Sequence, residues 1–293
     1  MVARFFGYFI GGLANGTIYA LLALGVVVIY RISRVVNLAH GAMGVFSTFV
    51  FHYVFVIGWG LPVAMAFLLT LVVGAGVGAG VEKAFISPVR RRGTLVTLTM
   101  TVGVLLLLTE MTVQLWGPNQ PPIASVFPDR SITFGGTGVT VHQFATAGCV
   151  LLLGIGLFVL LNRTRYGIAV EAIAEDPGAA RIVGLPVSAI TTATWAVGGS
   201  ASALAGMLYI HLNTLDQISL TFVLISSLVA AVLGGFNSLP VAVGGSLAVG
   251  VLFSLTQGYV RTAGFGELVV FVALLAILMV RPRQPALEAA VDF

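Results

Sequence analysis

The sequence is poor in charge. Charged side chains make up 8% of its 293 residues, and only ten residues are acidic. Soluble domains carry roughly 25% charged residues, so this shortage excludes an ordinary soluble domain. With 58% hydrophobic residues and a mean hydropathy of +1.08, the composition indicates an integral membrane protein.

The sequence also lacks the motifs of several protein classes. Its single cysteine, Cys149, excludes an intramolecular disulfide and a cysteine-based metal cluster. No Walker-type loop, kinase glycine loop, nucleophile elbow or zinc-binding helix occurs, so any ATP hydrolysis belongs to another chain and no cofactor is expected. The net charge of +4 is explained by the loop charges that orient membrane helices and requires no nucleic acid as a partner.

Long apolar runs are abundant. Runs of about 20 residues, enough to cross a hydrocarbon core as a helix, recur along the chain. They predict an all-α integral membrane protein: a bundle of about eight or nine transmembrane helices, with room for broken or re-entrant segments, in one polytopic domain over residues 1–293. The first run lacks a cleavage site and is expected to be retained. The predicted segments are 8–30, 36–57, 61–82, 94–116, 141–162, 188–211, 219–235, 239–257 and 267–281.

Basic residues predict the orientation. If the N-terminus is outside, eleven basic residues fall on one side and three on the other, and the richer side is cytoplasmic. The segment 117–140, rich in Pro, Gly and Ser, is then external, and the C-terminus is cytoplasmic. The cytoplasmic set is Arg31, Arg34, Lys83, Arg90, Arg91, Arg92, Arg163, Arg165, Arg181, Arg281 and Arg283, and the external set is Arg4, Arg130 and Arg261.

The polar stretch 163–187 concentrates acid between two apolar runs. Its apolar residues fall roughly at helical spacing and are interrupted at Asp176, which suits a helix N-cap, with Pro177 as first helical residue. The pattern predicts two short helices, the second ending at Gly184. We expect Ile173, Ile182 and Val183 to form an apolar docking face beside the acids; the alternative is a solvated interfacial loop.

Three pairs of polar residues lie within apolar segments, where unpartnered polar groups are costly. Asn15 and Tyr19 are spaced i, i+4, and Asn15-Gly16 is a place where the helix can open. The two pairs that contain asparagine either line a pathway or support helix packing through hydrogen bonds, whereas the pair that contains glutamate either marks a site or is interfacial if its helix ends early. The other pairs are Asn37 with His40, expected on one helical face, and Glu110 with Gln114.

Glycines recur in "GAGVGAG", residues 74–80. No strand precedes this stretch, so it is not a nucleotide-binding loop. Gly74 with Gly78, and Gly76 with Gly80, form two small-xxx-small pairs, which let helices approach closely.

Four ordered stretches carry a family resemblance. The segment "RYGIAVEAIAEDPGAARIVGLPV" resembles the cytoplasmic coupling loop of ABC importer permeases, and more closely that of the branched-chain amino acid permease family. The stretches "NGTIYALLALGVVVIYRISRVVNLAHG", "VEKAFISPVRRRG" and "VAAVLGGFNSLPVAVGGSLAVGVL" are similar to the same family in the same order, so the resemblance covers nearly the whole chain. One departure is Ala42, where the family commonly has an acid.

This resemblance implies a permease subunit that moves branched-chain or other hydrophobic amino acids across a bacterial cell membrane by alternating access. Amides, urea or another small solute remain alternative substrates, and ion-coupled transport and a purely structural subunit are the rival classes. The implied partners are a second, homologous or identical permease, two cytoplasmic ATPases, an extracytoplasmic substrate-binding protein and membrane lipid. The expected pathway residues are Asn15, Tyr19, Asn37, His40, Glu110 and Gln114, and the expected ATPase-coupling residues are Glu171, Glu175, Asp176, Ala180, Arg181 and Gly184.

The predicted orientation can be tested with two variants, Arg91→Cys and Thr137→Cys, each made in a Cys149→Ala background so that it carries one cysteine. A membrane-impermeant thiol reagent added to intact cells should label the cysteine at 137 and spare the one at 91, because the charge bias places them on opposite sides. Equal labelling of both positions would refute the orientation.

Overall fold

The computed structural model of the protein describes residues 2–117, 131–134, 137–210, 217–236, 238–260, 262 and 264–280. Wider π-helical turns continue two of its helices, at Val50–Gly58 and Glu82–Ile86, and a 3₁₀ turn spans Arg90–Arg92. The helices are α1 (Val2–Ser33), α2 (His40–Phe49), α3 (Val63–Val81), α4 (Ser87–Val89), α5 (Thr94–Trp116), α6 (Val141–Arg163), α7 (Arg165–Glu175), α8 (Pro177–Ile182), α9 (Val187–Tyr209), α10 (Ser219–Leu233), α11 (Leu239–Tyr259) and α12 (Phe265–Val280).

The prediction of a helical membrane protein is confirmed, and each predicted apolar segment forms a helix over most of its length. Six helical stretches of the described chain are long and apolar enough to cross a membrane by themselves. Helices α10 and α12 are shorter, at 15 and 16 residues. The chain is therefore a multi-pass membrane protein.

Helix α1 lies at the centre of the bundle and is almost wholly surrounded by other helices, chiefly α11, α9 and α10. It meets α11 through glycine: a Cβ on Gly16 would lie 2.8 Å from the Cα of Leu247, and one on Gly12 would lie 2.6 Å from the Cα of Val251. The expectation that Asn15-Gly16 opens the helix is therefore wrong. Helix α1 is continuous there, because Gly16 is used for close packing.

Helices α3 and α9 form a second close contact. A Cβ on Gly74 would lie 2.7 Å from the carbonyl oxygen of Gly199, and one on Gly78 would clash with the carbonyl oxygen of Trp195. Gly76 and Gly80 have open space beside them. Of the two predicted small-residue pairs, only Gly74 with Gly78 thus lies at a helix contact.

A short β-hairpin lies within the segment predicted to be external. Strand β1 (Ser131–Phe134) pairs antiparallel with β2 (Thr137–Thr140), and residues 118–130 lie outside the described part of the chain. Thr140 then caps α6: its side chain accepts a hydrogen bond from the Gln143 amide, and the Gln143 side chain accepts one from the Thr140 amide. This capping box fixes where the chain re-enters the bundle.

The α3–α9 contact yields a matched pair of variants. Gly78→Ala should lower the free energy of unfolding by about 1–3 kcal/mol, because the added methyl group overpacks the backbone of α9. Gly76→Ala, two residues away beside open space, should stay within about 0.5 kcal/mol of wild type. Unfolding of the purified protein in detergent, followed by circular dichroism, measures both; equal effects would show that the contact does not limit stability.

Candidate functional site

Residues 165–186 form a bent unit, here called the elbow, made of α7, α8 and the turn into α9. The predicted cap is confirmed: the Asp176 carboxylate accepts hydrogen bonds from the amides of Gly178 at 2.7 Å and Ala179 at 2.9 Å. Gly184 ends α8 with φ of +88°, a backbone conformation that favours glycine. The elbow therefore consists of two short helices with a defined shape.

The tip of the elbow exposes apolar side chains. Ile182 is 88% exposed and Val183 is 75% exposed, whereas Ala180 faces inward with 3% exposure. Ile173 is buried to the same degree within the bundle. The expectation that Ile173 belongs to the docking face is therefore wrong, because α7 turns this residue toward its own subunit. The apolar tip consists of Ile182 and Val183.

The charged residues of the elbow occupy different places. Glu171 lines a small polar cavity of about 200 Å³ with Arg31 and Arg34 of the α1 end. Glu175 and Arg181 are exposed near the tip. The acids therefore do not form one patch: Glu171 faces basic residues of its own chain, Asp176 caps α8, and Glu175 is left on the surface.

Tyr166 joins the elbow to the bundle. Its hydroxyl lies 2.8 Å from the Thr194 hydroxyl and donates to the carbonyl oxygen of Ile190 at 3.3 Å. Burial raises the pKa of Tyr166, and the hydrogen bond with Thr194 opposes this only in part. The hydrogen bonds of this phenol connect α7 with α9.

A buried ion pair lies close to where α9 leaves the elbow. The Glu82 carboxylate, 1% exposed, accepts a hydrogen bond from Arg90 at 2.6 Å and another from the Thr192 hydroxyl of α9 at 2.6 Å. Glu82 is held there by the π-helical turn that follows α3. From the sequence, the basic cluster at 90–92 is interpreted first as an orientation signal and second as a contact for the coupling partner or anionic lipid. The structure shows instead a polar tie between the end of α3 and the start of α9.

A second polar site lies near the opposite end of α9. It is a cavity of about 430 Å³, here called the polar cavity, lined by residues of α1, α9, α10, α11 and α12. It brings together Asn15 and Tyr19, both predicted, with Ser226, Gln257 and Glu267, which the sequence reading missed. Glu267 lies in the first turn of α12, within an apolar segment, and that isolated acid was the signal that could have revealed it.

Asn37 and His40 do not share a helical face as predicted. Asn37 precedes α2 in a non-helical segment, where it is buried and its side-chain oxygen Oδ1 accepts a hydrogen bond from the Ala39 amide at 3.0 Å. His40 begins α2, packs on Gly25 of α1, and receives a hydrogen bond from Ser202 at its backbone carbonyl. Both residues are enclosed by protein and lie outside the polar cavity.

Glu110 and Gln114 lie on an exposed side of α5 and hydrogen-bond to each other. Large apolar side chains such as Leu106 and Leu115 surround them on the same helix. They do not join the polar cavity. Of the predicted pathway residues, the structure therefore brings together only Asn15 and Tyr19.

Comparison with known proteins agrees with this architecture. The family model "Branched-chain amino acid transport system / permease component" matches residues 8–280. The high-affinity branched-chain amino acid permease protein LivH of Escherichia coli K12 is 27% identical over 285 residues, covering 92% of each chain. The corresponding protein BraD of Pseudomonas aeruginosa is 25% identical over 285 residues, covering 93% of this chain and 92% of its own.

Two solved structures share the fold. One is PsaBC from Streptococcus pneumoniae in complex with a Fab, with a TM-score of 0.50, 15% identity and 99% coverage of both chains. The other is an inward-facing metal-chelate type ABC transporter, with a TM-score of 0.52, 17% identity, and coverage of 94% of this chain and 84% of that one. The likeness concerns the arrangement of helices.

The ion pair at the α3–α9 junction predicts an asymmetric pair of variants. Arg90→Ala strands the Glu82 charge and should cost about 3–5 kcal/mol of unfolding free energy. Glu82→Gln keeps hydrogen-bonding atoms and leaves Arg90, 29% exposed, partly hydrated, so it should cost only about 1–2 kcal/mol.

Thermal unfolding in detergent measures both variants. Arg91→Ala, an exposed neighbour outside the ion pair, is the control and should stay within about 0.5 kcal/mol of wild type. If Arg90→Ala is no more destabilising than Glu82→Gln, the carboxylate is not held as a buried charge.

Proposed function

Because the chain belongs to the family of branched-chain amino acid transport system permease components, we propose that it is an ABC importer subunit driven by ATPase docking at the elbow. The family makes the chain a transport component and not an enzyme. The observation that carries the docking proposal is the apolar tip, where Ile182 at the end of α8 and Val183 directly after it are strongly exposed.

The composition of the elbow suits a protein partner. Adjacent, strongly exposed aliphatic side chains gain free energy when they enter a pocket that excludes water. Glu175 and Arg181 near this tip can orient the partner, because charges at the rim of an interface mainly guide approach and register. Two adjacent apolar side chains exposed to water are unfavourable in a simple connection between helices, so their exposure indicates a contact with a partner.

The contacts around α9 can transmit motion of the elbow to the membrane helices. Motion of α8 is passed to α9 through the short turn at Gly184 and through the hydrogen bonds of Tyr166. The hydrogen bond of Thr192 with Glu82 couples α9 to the end of α3. We infer that α3 and α9 rock together when the ATPases close, which is alternating access between two arrangements of packed helices.

The proposed orientation in the membrane places the other partners of the proposed importer. The elbow end is cytoplasmic, since the described basic residues Arg31, Arg34 and Lys83 lie near it. The N-terminus is then external, and a substrate-binding protein delivers branched-chain amino acids to the opposite face. A second permease, identical or homologous, completes the pathway in the bacterial inner membrane.

The docking proposal predicts the effect of removing the tip. The double variant Ile182→Ser/Val183→Ser should weaken ATPase binding by about 2–3 kcal/mol, or roughly thirtyfold or more, because the tip supplies the central apolar contact. Co-purification of the ATPase subunits and substrate-stimulated ATP hydrolysis measure the loss. The bundle should stay folded, since neither side chain packs inside it.

Ile168→Ser is the matched control. Ile168 is also strongly exposed, at 69%, but lies on α7 away from the tip, so its replacement should leave ATPase binding within about twofold of wild type. Ala180 is unsuitable for this test, because it is buried and a larger side chain there would distort the elbow. Full ATPase binding and uptake by the double variant would exclude the tip as the coupling contact.

A further inference from the structure

The polar cavity is unusual for a membrane bundle with so few charged residues. Seven of its eleven lining residues carry polar side chains, although the helices that form it are mostly apolar. Polar groups at membrane depth are costly unless they face water, protein partners or a ligand. The polar lining comes from five different helices, so helix packing at a single contact does not account for it.

The charge of the described cavity lining is of one sign. Among the described residues that line it, Glu267 is the one carboxylate, and none is Lys or Arg. Glu267 is exposed, and it lies close enough to Tyr19 to interact electrostatically. A carboxylate facing acyl chains would be strongly unfavourable, so this side of the bundle faces water or the second permease. The cavity therefore favours a ligand with a positive group.

The rest of the lining offers two further kinds of contact. Asn15 and Gln257 supply amide groups, and the Tyr19 hydroxyl is hydrogen-bonded with Ser226, so several polar atoms lie along one wall. Ile18, Val223 and Phe253 supply an apolar wall. A volume of about 430 Å³ lies within the range of small-molecule sites.

We propose that the polar cavity is an amino-acid binding site within a single subunit, where Glu267 binds the ligand's ammonium group. The amide groups of Asn15 and Gln257 donate to the ligand's carboxylate, and the aliphatic side chain packs on the apolar wall. This proposal rests on the proposed transport function and adds a site in each permease subunit. It also favours a zwitterionic amino acid over neutral urea or an amide, because a neutral ligand would leave Glu267 unpaired.

A first-turn glutamate also stabilises its own helix through the helix dipole, so the test must separate ligand binding from helix stability. The complete importer, with its ATPases and binding protein, is reconstituted in proteoliposomes, and uptake of radiolabelled leucine is measured with the binding protein saturating. Glu267→Gln removes the charge and nearly preserves shape, whereas Glu267→Asp keeps the charge. Thr256→Val is the control, since Thr256 bonds only within α11, beside Gln257 but outside the cavity lining.

We expect Glu267→Gln to reduce leucine uptake roughly tenfold or more, the effect of one lost charge-assisted contact. ATP hydrolysis stimulated by the binding protein should persist, so fewer leucine molecules enter per ATP. Glu267→Asp should recover part of the uptake, and Thr256→Val should remain within about twofold of wild type. Tyr19→Phe, which removes a hydroxyl from the same wall, should also lower uptake.

Other outcomes overturn the proposal in distinguishable ways. If wild type transports leucine and Glu267→Gln does so equally well, the cavity is not on the route, and the proposed transport function stands. Equal losses in Glu267→Gln and Glu267→Asp would show that charge is not what the site recognises. A wild-type importer that moves urea or a neutral amide in preference to leucine would overturn both the site and the proposed substrate.

Discussion

Close approach of helix backbones is the constraint on which the bundle depends. Where α1 meets α11, and where α3 meets α9, glycines leave no space for a side chain between the helices. In a bilayer the lipid tails are as apolar as the protein, so association depends on such packing and on polar contacts between helices. With α1 held at the centre, α9, α10 and α11 are placed around it. The polar cavity exists because these helices meet α12 at one end without filling the space between them.

The other end of the bundle is held by polar contacts instead. Tyr166 joins α7 to α9, and Glu82 joins the end of α3 to α9 through Thr192. Hydrogen bonds to a buried carboxylate are stronger than neutral ones and depend on direction, so this end resists sliding of α9 along α3. The elbow is therefore attached to α9, which glycine also packs closely against α3, and a displacement there moves several helices as a unit.

Much of the fold could be predicted from local signals. Hydropathy predicted the helical segments, and Asp176, Pro177 and Gly184 predicted the ends of α8, because capping depends on a few adjacent residues. Local signals could not predict which side chains are buried and which are exposed. Ile173 and Ile182 are both isoleucines in one short stretch, yet only the bend between α7 and α8 decides which is buried. Glu267 was missed because cavity partners such as Asn15 and Tyr19 are far away in sequence. Asn37 was misplaced because the chain leaves helical geometry inside the bundle.

The central position of α1 has a consequence for the time course of biosynthesis. Gly16 and its partner Gly250 are about 230 residues apart, so at about 5–20 residues per second α11 is synthesised on the order of 10–50 s after α1. During this interval α11, which packs on the glycine face of α1 in the complete chain, has not yet been made. A chain whose synthesis stops before α11 therefore lacks the partner of this glycine face. Exposure of the face on α1 would distinguish such an incomplete chain from a complete one.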